Sequence, residues 1–267
     1  MMEKNKFSSI QSAVEDIKRG KVVVVVDDED RENEGDMIFA AEKSNPELVN
    51  FLIRNAGGLI CIPMEHERLN QLELEMMTAH NTGLHETAFT VSVDCRLGTS
   101  TGISAFDRNK TIHALINSKT KPSDLCKPGH IFPLRSAVGG VLRRAGHTES
   151  AVDLARLAGL FPAGVLCEIL KENGEMARLP ELFQLAKKHN LKVITIKELI
   201  KYRLQREKHV LRKSDVKIPT LFGNFQLVLY ENLINGDYHI ALVKGNVNTA
   251  KSILVRVHSE CLTGDIF

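Results

Sequence analysis

The sequence predicts an α+β chain in which a layered sheet-and-helix domain is followed by a shorter β-rich segment. Three observations carry that reading. Short apolar runs of strand type alternate with amphipathic helical stretches as far as Arg206. From Lys208 onward the texture changes to short strands separated by Gly and Asn. At 267 residues, 43% apolar and 25% charged, the chain has the composition of a soluble protein with a sizeable core.

The elements follow in order. Ser8, Ser9, Ile10 and Gln11 suit a helix start with a capping box, Ile10, Val14 and Ile17 keep helical spacing, and Gly20 marks the stop. Five consecutive valines, residues 22–26, then read as a buried strand that runs straight into charge. Apolar character resumes over residues 37–41. Asn45-Pro46 opens a helix carrying Leu48, Leu52 and Ile53, which ends at Gly57-Gly58 before the short strand of residues 59–62. Residues 89–93 alternate as a half-buried strand does, and residues 111–117 belong to a helix. Between Lys119 and Arg144 prolines and glycines break the pattern, predicting a long irregular and functional loop. A helix over residues 148–158, a strand over 165–170, a turn at Asn173-Gly174, a helix over 180–189 and a strand over 191–195 complete the alternation. Thr195 with Glu198 caps a last helix reaching Arg206. The second segment contains strand-like residues 226–230, 239–243 and 253–257; it is small for an independent core and reads as incomplete.

Composition also narrows the function classes. No apolar run is long enough to cross a bilayer, and the first seven residues lack the apolar core of a secretory signal, so the expected compartment is cytoplasmic. A net charge of +2, three Tyr and no Trp offer nucleic acid little attraction and little stacking surface. Cys61, Cys95, Cys126, Cys167 and Cys261 are odd in number and include no C-x-x-C pair, which argues against a disulfide framework or a self-contained zinc knuckle. The basic residues between Lys201 and Lys213 read as a solvated helix face and linker.

The stretch Asp27-Asp28-Glu29-Asp30-Arg31-Glu32-Asn33-Glu34-Gly35-Asp36 holds seven carboxylates and one covalent cation. Such crowding raises pKa values unless positive charge sits among the acids, so it is either a solvated acidic turn or a site for a hard divalent cation. Its position at a strand end favours the cation, magnesium, manganese or calcium rather than zinc. Arg143-Arg144-Ala145-Gly146-His147-Thr148 places guanidinium groups, an imidazole and a hydroxyl at a helix start, which is either solvated surface or a phosphate cradle. His147 is also able to join a carboxylate on a metal. His130, in Lys127-Pro128-Gly129-His130, is an acid–base candidate or a loop-pinning residue. Glu168, within an apolar run, needs a metal, a cation, a catalytic task or an edge position facing water.

Together with Pro162-Ala163-Gly164-Val165-Leu166-Cys167-Glu168, these motifs closely resemble those of 3,4-dihydroxy-2-butanone 4-phosphate synthase, a riboflavin-pathway lyase. The likeness runs in order from Ser8 to Arg206 and implies a three-layer α/β/α domain with a mixed sheet over residues 1–206. It implies that D-ribulose 5-phosphate is converted to L-3,4-dihydroxybutan-2-one 4-phosphate and formate with magnesium, or manganese, in a homodimer whose site is shared between subunits. By the same resemblance Glu32 and His147 hold the metal, while Arg31, Glu32, Asp36, Arg144, Ala145, Gly146, His147, Thr148 and Glu168 meet the substrate. His130 and Glu168 are then the catalytic residues, with His130 reaching the partner's site, and Cys61 falls in an active-site segment. Residues 207–267 resemble the start of GTP cyclohydrolase II, through residues 219–225 and Arg256-Val257-His258-Ser259-Glu260-Cys261. In that family the Arg256-to-Glu260 stretch touches GTP and Cys261 is the first of three zinc ligands. One thiolate makes no zinc site, so cyclohydrolase activity is not expected of these residues alone, and zinc is expected only with the remaining ligands.

Overall fold

The computed structural model describes residues 7–247, 252–259, 261 and 263–264. The chain divides into two compact units, one ending at Glu207 and the other beginning at Lys208. The first unit is built on a mixed sheet of seven strands, ordered β4-β5-β3-β6-β2-β1-β7. These are β1 (Val23–Val26), β2 (Gly35–Ala40), β3 (Cys61–Met64), β4 (Val93–Cys95), β5 (Leu125–Arg135), β6 (Gly164–Glu168) and β7 (Lys192–Thr195). β1 runs parallel to β7 and β3 parallel to β5, and the other neighbours are antiparallel.

The apolar runs are continuous because both faces of the sheet are covered. Val24, Met37, Phe39, Ile62, Val165 and Cys167 point into one core, with α2 (Pro46–Asn55), α3 (His66–Gln71), α4 (Ala105–Ile116) and α6 (Leu179–His189). Val23, Val25, Ile38, Ala40, Cys61 and Leu166 point into the other, against α1 (Ile10–Lys18), α5 (His147–Leu157) and α7 (Ile196–Arg206). Helices therefore flank the sheet on both sides, giving the three layers expected. Full burial of one such side chain is worth about 1.5–3 kcal/mol, so the central strands are the stiffest support available to a site.

Several elements depart from the sequence reading. The predicted irregular stretch between Lys119 and Arg144 contains β5, whose Pro128, Gly129 and Pro133 read as breakers. The pairing of β5 with β4 is interrupted between Val93 and Asp94, and that irregularity accommodates Lys127-Pro128-Gly129-His130. The strand predicted over residues 89–93 is reduced to isolated bridges at Phe89 and Thr90, and β4 begins at Val93. α4 starts earlier than its apolar residues suggested, because Ser104 caps it by accepting from Asp107 N–H. Ser9 rather than Ser8 caps α1, and Gln11 accepts instead from the Tyr202 hydroxyl.

The second unit is an antiparallel sheet of β8 (Val210–Thr220), β9 (Gly223–Asn232) and β10 (Tyr238–Val243), in the order β10-β9-β8. These strands are longer than expected, and the described residues of 253–257 form none. Leu227 lies between Val216 and Leu242, and Leu229 between Ser214 and Ile240. With Ile218 opposite Phe225, one face of the sheet is almost wholly apolar. Among the described residues no helix is long and apolar enough to cross a membrane.

Candidate active site

The acidic run is the connection between β1 and β2, and a single buried carboxylate shapes it. Asp27 Oδ2 accepts from Arg31 Nη1 at 2.9 Å and from Glu32 N–H at 3.0 Å, while Oδ1 accepts from Glu34 N–H at 2.9 Å. Residues 28–30 are exposed, whereas Arg31, Glu32 and Glu34 are half-buried and turn toward the protein. Arg178, at the start of α6, clasps the loop from the other side by donating to the carbonyls of Glu32, at 3.0 Å, and Asn33.

Glu32 receives Arg31 Nη2 on Oε1 at 2.7 Å and lies with Oε2 3.7 Å from His147 Nδ1. Its contact with His147 holds the carboxyl far below its usual range, at about 2, despite partial burial. His147 is the first residue of α5. Burial alone would lower its pKa, but Asp36, Glu32 and Asp27 outweigh it and carry the imidazole to about 9. A carbonyl only accepts, so the 3.2 Å contact with Val25 O keeps a proton on His147 Nε2 whichever its charge, and Nδ1 faces Glu32. Asp36, at the start of β2, is buried, and desolvation together with the nearby Glu168, Glu32 and Glu34 pushes its carboxyl up to about 7. Burial and Glu32 likewise raise Glu34.

Glu168 ends β6 directly opposite Asp36 on β2. Its Oε2 accepts Leu59 N–H at 2.8 Å, and a Cβ at Gly58 would sit 2.6 Å from its carbonyl oxygen, so only glycine permits this approach. Central strands ending together, rather than an edge position, explain a carboxylate after an apolar run. Cys61 on β3 is buried, which raises its pKa and keeps the thiol neutral.

Arg31, Glu32, Asp36, Cys61, Arg144, His147, Thr148 and Glu168 line one cavity of about 110 Å³. Arg31, Glu32 and Glu34 also wall a cavity of about 560 Å³ with His85, Glu86, Thr87 and other residues of the 81–89 loop. Arg144 ties that loop to α5 by donating from Nη2 to His85 O at 2.8 Å. Ala145 is exposed and lines neither cavity, and Gly146 is the N-cap of α5.

His130 stands apart, on β5 and outside both cavity walls. Its Nδ1–H donates to Asp94 Oδ2 at 2.7 Å and its backbone N–H to Asp94 Oδ1 at 2.9 Å, and the side chain is exposed. Asp94 was not singled out in the sequence. It follows the alternating residues 89–93, and only the pairing of β4 with β5 brings it to His130. In the second unit Arg256, Val257, His258, Ser259 and Cys261 are exposed. Glu260 lies outside the described residues.

Asp27, Glu32 and His147 each offer a ligand atom within 4.8 Å of the others. Two carboxylates and one imidazole form a donor set that suits a hard or borderline divalent ion, and the carboxyls of Asp36 and Glu34 stand close enough to feel it electrostatically. This is a three-layer α/β/α protein with a carboxylate–imidazole site of metal-ligating type at the ends of its central strands. The chain belongs to the 3,4-dihydroxy-2-butanone 4-phosphate synthase family, whose pattern it matches over residues 11–202. Residues 211–267 match GTP cyclohydrolase II.

Riboflavin biosynthesis protein RibBA of Endomicrobium trichonymphae is 56% identical over 265 residues, covering 99% of this chain and 66% of that protein. RibBA of Cytophaga hutchinsonii is 56% identical over 267 residues, covering 100% of this chain and again 66% of the relative. The chain thus spans about two thirds of the length of these curated relatives. Among solved structures, RibBX, a two-domain 3,4-dihydroxy-2-butanone 4-phosphate synthase from A. baumannii, superposes with a TM-score of 0.82 at 48% identity. That match covers 89% of this chain and 70% of the other. A 3,4-dihydroxy-2-butanone 4-phosphate synthase in complex with two magnesium ions superposes with a TM-score of 0.73 at 40% identity, covering 75% of this chain and 98% of that one.

Proposed function

We propose that residues 1–206 form a lyase domain that converts D-ribulose 5-phosphate to L-3,4-dihydroxybutan-2-one 4-phosphate and formate, a step of riboflavin biosynthesis. The observation that carries this reading is the meeting of Arg31, Glu32, Asp36, Arg144, His147, Thr148 and Glu168 around one cavity in a chain of this family. Substrate and the two products together have the same atoms, so the conversion needs no oxidant or reductant. It needs proton transfer and charge stabilisation, which is what these side chains supply.

Glu32 and His147 would hold magnesium, or manganese in the same donor set, with Asp27 beside them shaping the loop. The bound ion would supply a Lewis acid for the oxygens of a ketose and its enediolate. Arg31, Arg144 and the start of α5 at Thr148 orient the phosphate. Asp36, with its pKa near neutrality, and Glu168 stand on neighbouring strands where a proton is to be taken from the carbon beside the ketone and returned during loss of a hydroxyl. His130, oriented by Asp94, serves the second proton from the partner subunit of a homodimer. Its place outside both cavities supports that assignment.

Residues 207–267 belong to a GTP cyclohydrolase II segment whose zinc would require ligands beyond Cys261. The protein works in the cytoplasm on a small phosphorylated sugar, with neither nucleic acid nor membrane as partner. Carbon NMR of ribulose 5-phosphate with the purified chain tests the reading. Magnesium-dependent formate together with a four-carbon ketone phosphate is expected, whereas unchanged substrate in a folded sample would refute it.

A further inference from the structure

The first turn of α5 contains a carboxylate that the proposed chemistry leaves unused. Glu149 is 1% exposed, and both its oxygens are engaged. Oε1 accepts from Ala137 N–H at 3.0 Å and Oε2 accepts from Arg144 Nη1 at 2.8 Å. Arg144 reaches on to the carbonyl of His85 and keeps a quarter of its side chain exposed, where it lines the smaller cavity. The guanidinium lies across the start of the helix. A Cβ at Gly146 would fall 2.3 Å from Arg144 Nη1 and 2.8 Å from Glu149 Oε2. Gly146 has an ordinary extended φ of −119°, so its lack of a side chain matters for room and not for backbone freedom.

A free arginine samples many rotamers, and holding it in one orientation requires a partner that is itself fixed. Glu149 is fixed by burial, by its helix and by the Ala137 amide. Its charge needs compensation inside the protein, and Arg144 supplies it. We infer that Glu149 is a positioning residue: it aims Arg144 at the phosphate of the substrate and closes the 137–148 loop over the helix start.

This inference rests on Arg144 being a phosphate ligand, as proposed above, and it is separable from the synthase activity by its probe. The dissociation constant of inorganic phosphate, followed by phosphorus NMR on the full chain with magnesium, reads the aim of Arg144 without turnover. Glu149→Gln is expected to weaken phosphate and to raise KM for ribulose 5-phosphate by about 10- to 100-fold, with kcat changed far less, since misplaced binding groups cost that much. In an Arg144→Gln background the same substitution should add nothing. A purely structural carboxylate would give additive effects and an unaltered phosphate constant, and either result overturns the inference. Should Glu149→Gln fail to fold, Glu149→Asp keeps the charge one methylene short, and its phosphate constant must weaken likewise or the inference falls. A chain that binds phosphate in this Glu149-dependent way yet yields no formate would refute the synthase reading and leave the positioning role standing.

Discussion

Glu32 and His147 polarise one another in opposite directions, the carboxyl held to about 2 and the imidazole carried to about 9. Neither is built to exchange protons near neutrality, and this separates them from Asp36. Glu32→Gln should abolish turnover and weaken magnesium by at least 10-fold while leaving the fold intact, measured by formate NMR, metal titration and thermal unfolding. A variant that keeps most of its activity would remove Glu32 from the site. Asp94→Asn should lower kcat by 10-fold or more without moving KM or the melting temperature much, because the amide no longer orients the His130 tautomer; unchanged kcat would leave His130 without its orienter. Most of the charged residues of the site were legible because their chemistry is dense and local. Asp94 and Glu149 were not, since each acts on a residue that only strand pairing or a buried helix turn brings near.

Loop and helix geometry sets the next level of control. Asp107 on α4 accepts from the Ser100 hydroxyl and from Ser100 and Gly102 N–H groups, and these bonds lower its pKa. The stabilisation is therefore present above the ordinary aspartate range and is lost as pH falls through the lowered value. The protection factors of the Ser100 and Gly102 amides, corrected for intrinsic exchange, should fall in acid before the core opens, and Asp107→Asn should show the lower protection already at neutral pH; protection that stays pH-independent would contradict this. Gly58→Ala should displace Glu168 and destabilise the domain by about 1–3 kcal/mol, checked by urea unfolding alongside a turnover assay. The starts of α2 and α7 were readable from their Asn45 and Thr195 caps, whereas Ser104, which opens α4, was not recognised. β5 was not, because its prolines and glycine mimic a loop while β3 and β4 hold it in the sheet.

At the level of the whole chain, the two compact units meet in sequence between Glu207 and Lys208. A fragment of residues 1–207 should unfold cooperatively and retain formate release from ribulose 5-phosphate; loss of both on truncation would show that the second unit supports the first. The alternation of strands and helices made the layered architecture legible, but not the order of strands, which depends on contacts far apart in sequence. One consequence lies in the valine run. Where residues 22–26 are identical, sliding the strand by one position exchanges valine for valine on both faces, so burial scarcely distinguishes one register from the next. Asp27 removes that degeneracy: its carboxylate grips the amides of Glu32 and Glu34, and those amides cannot follow a slipped strand. The residue that shapes the acidic loop thereby also indexes β1, whose valines face both layers of helices.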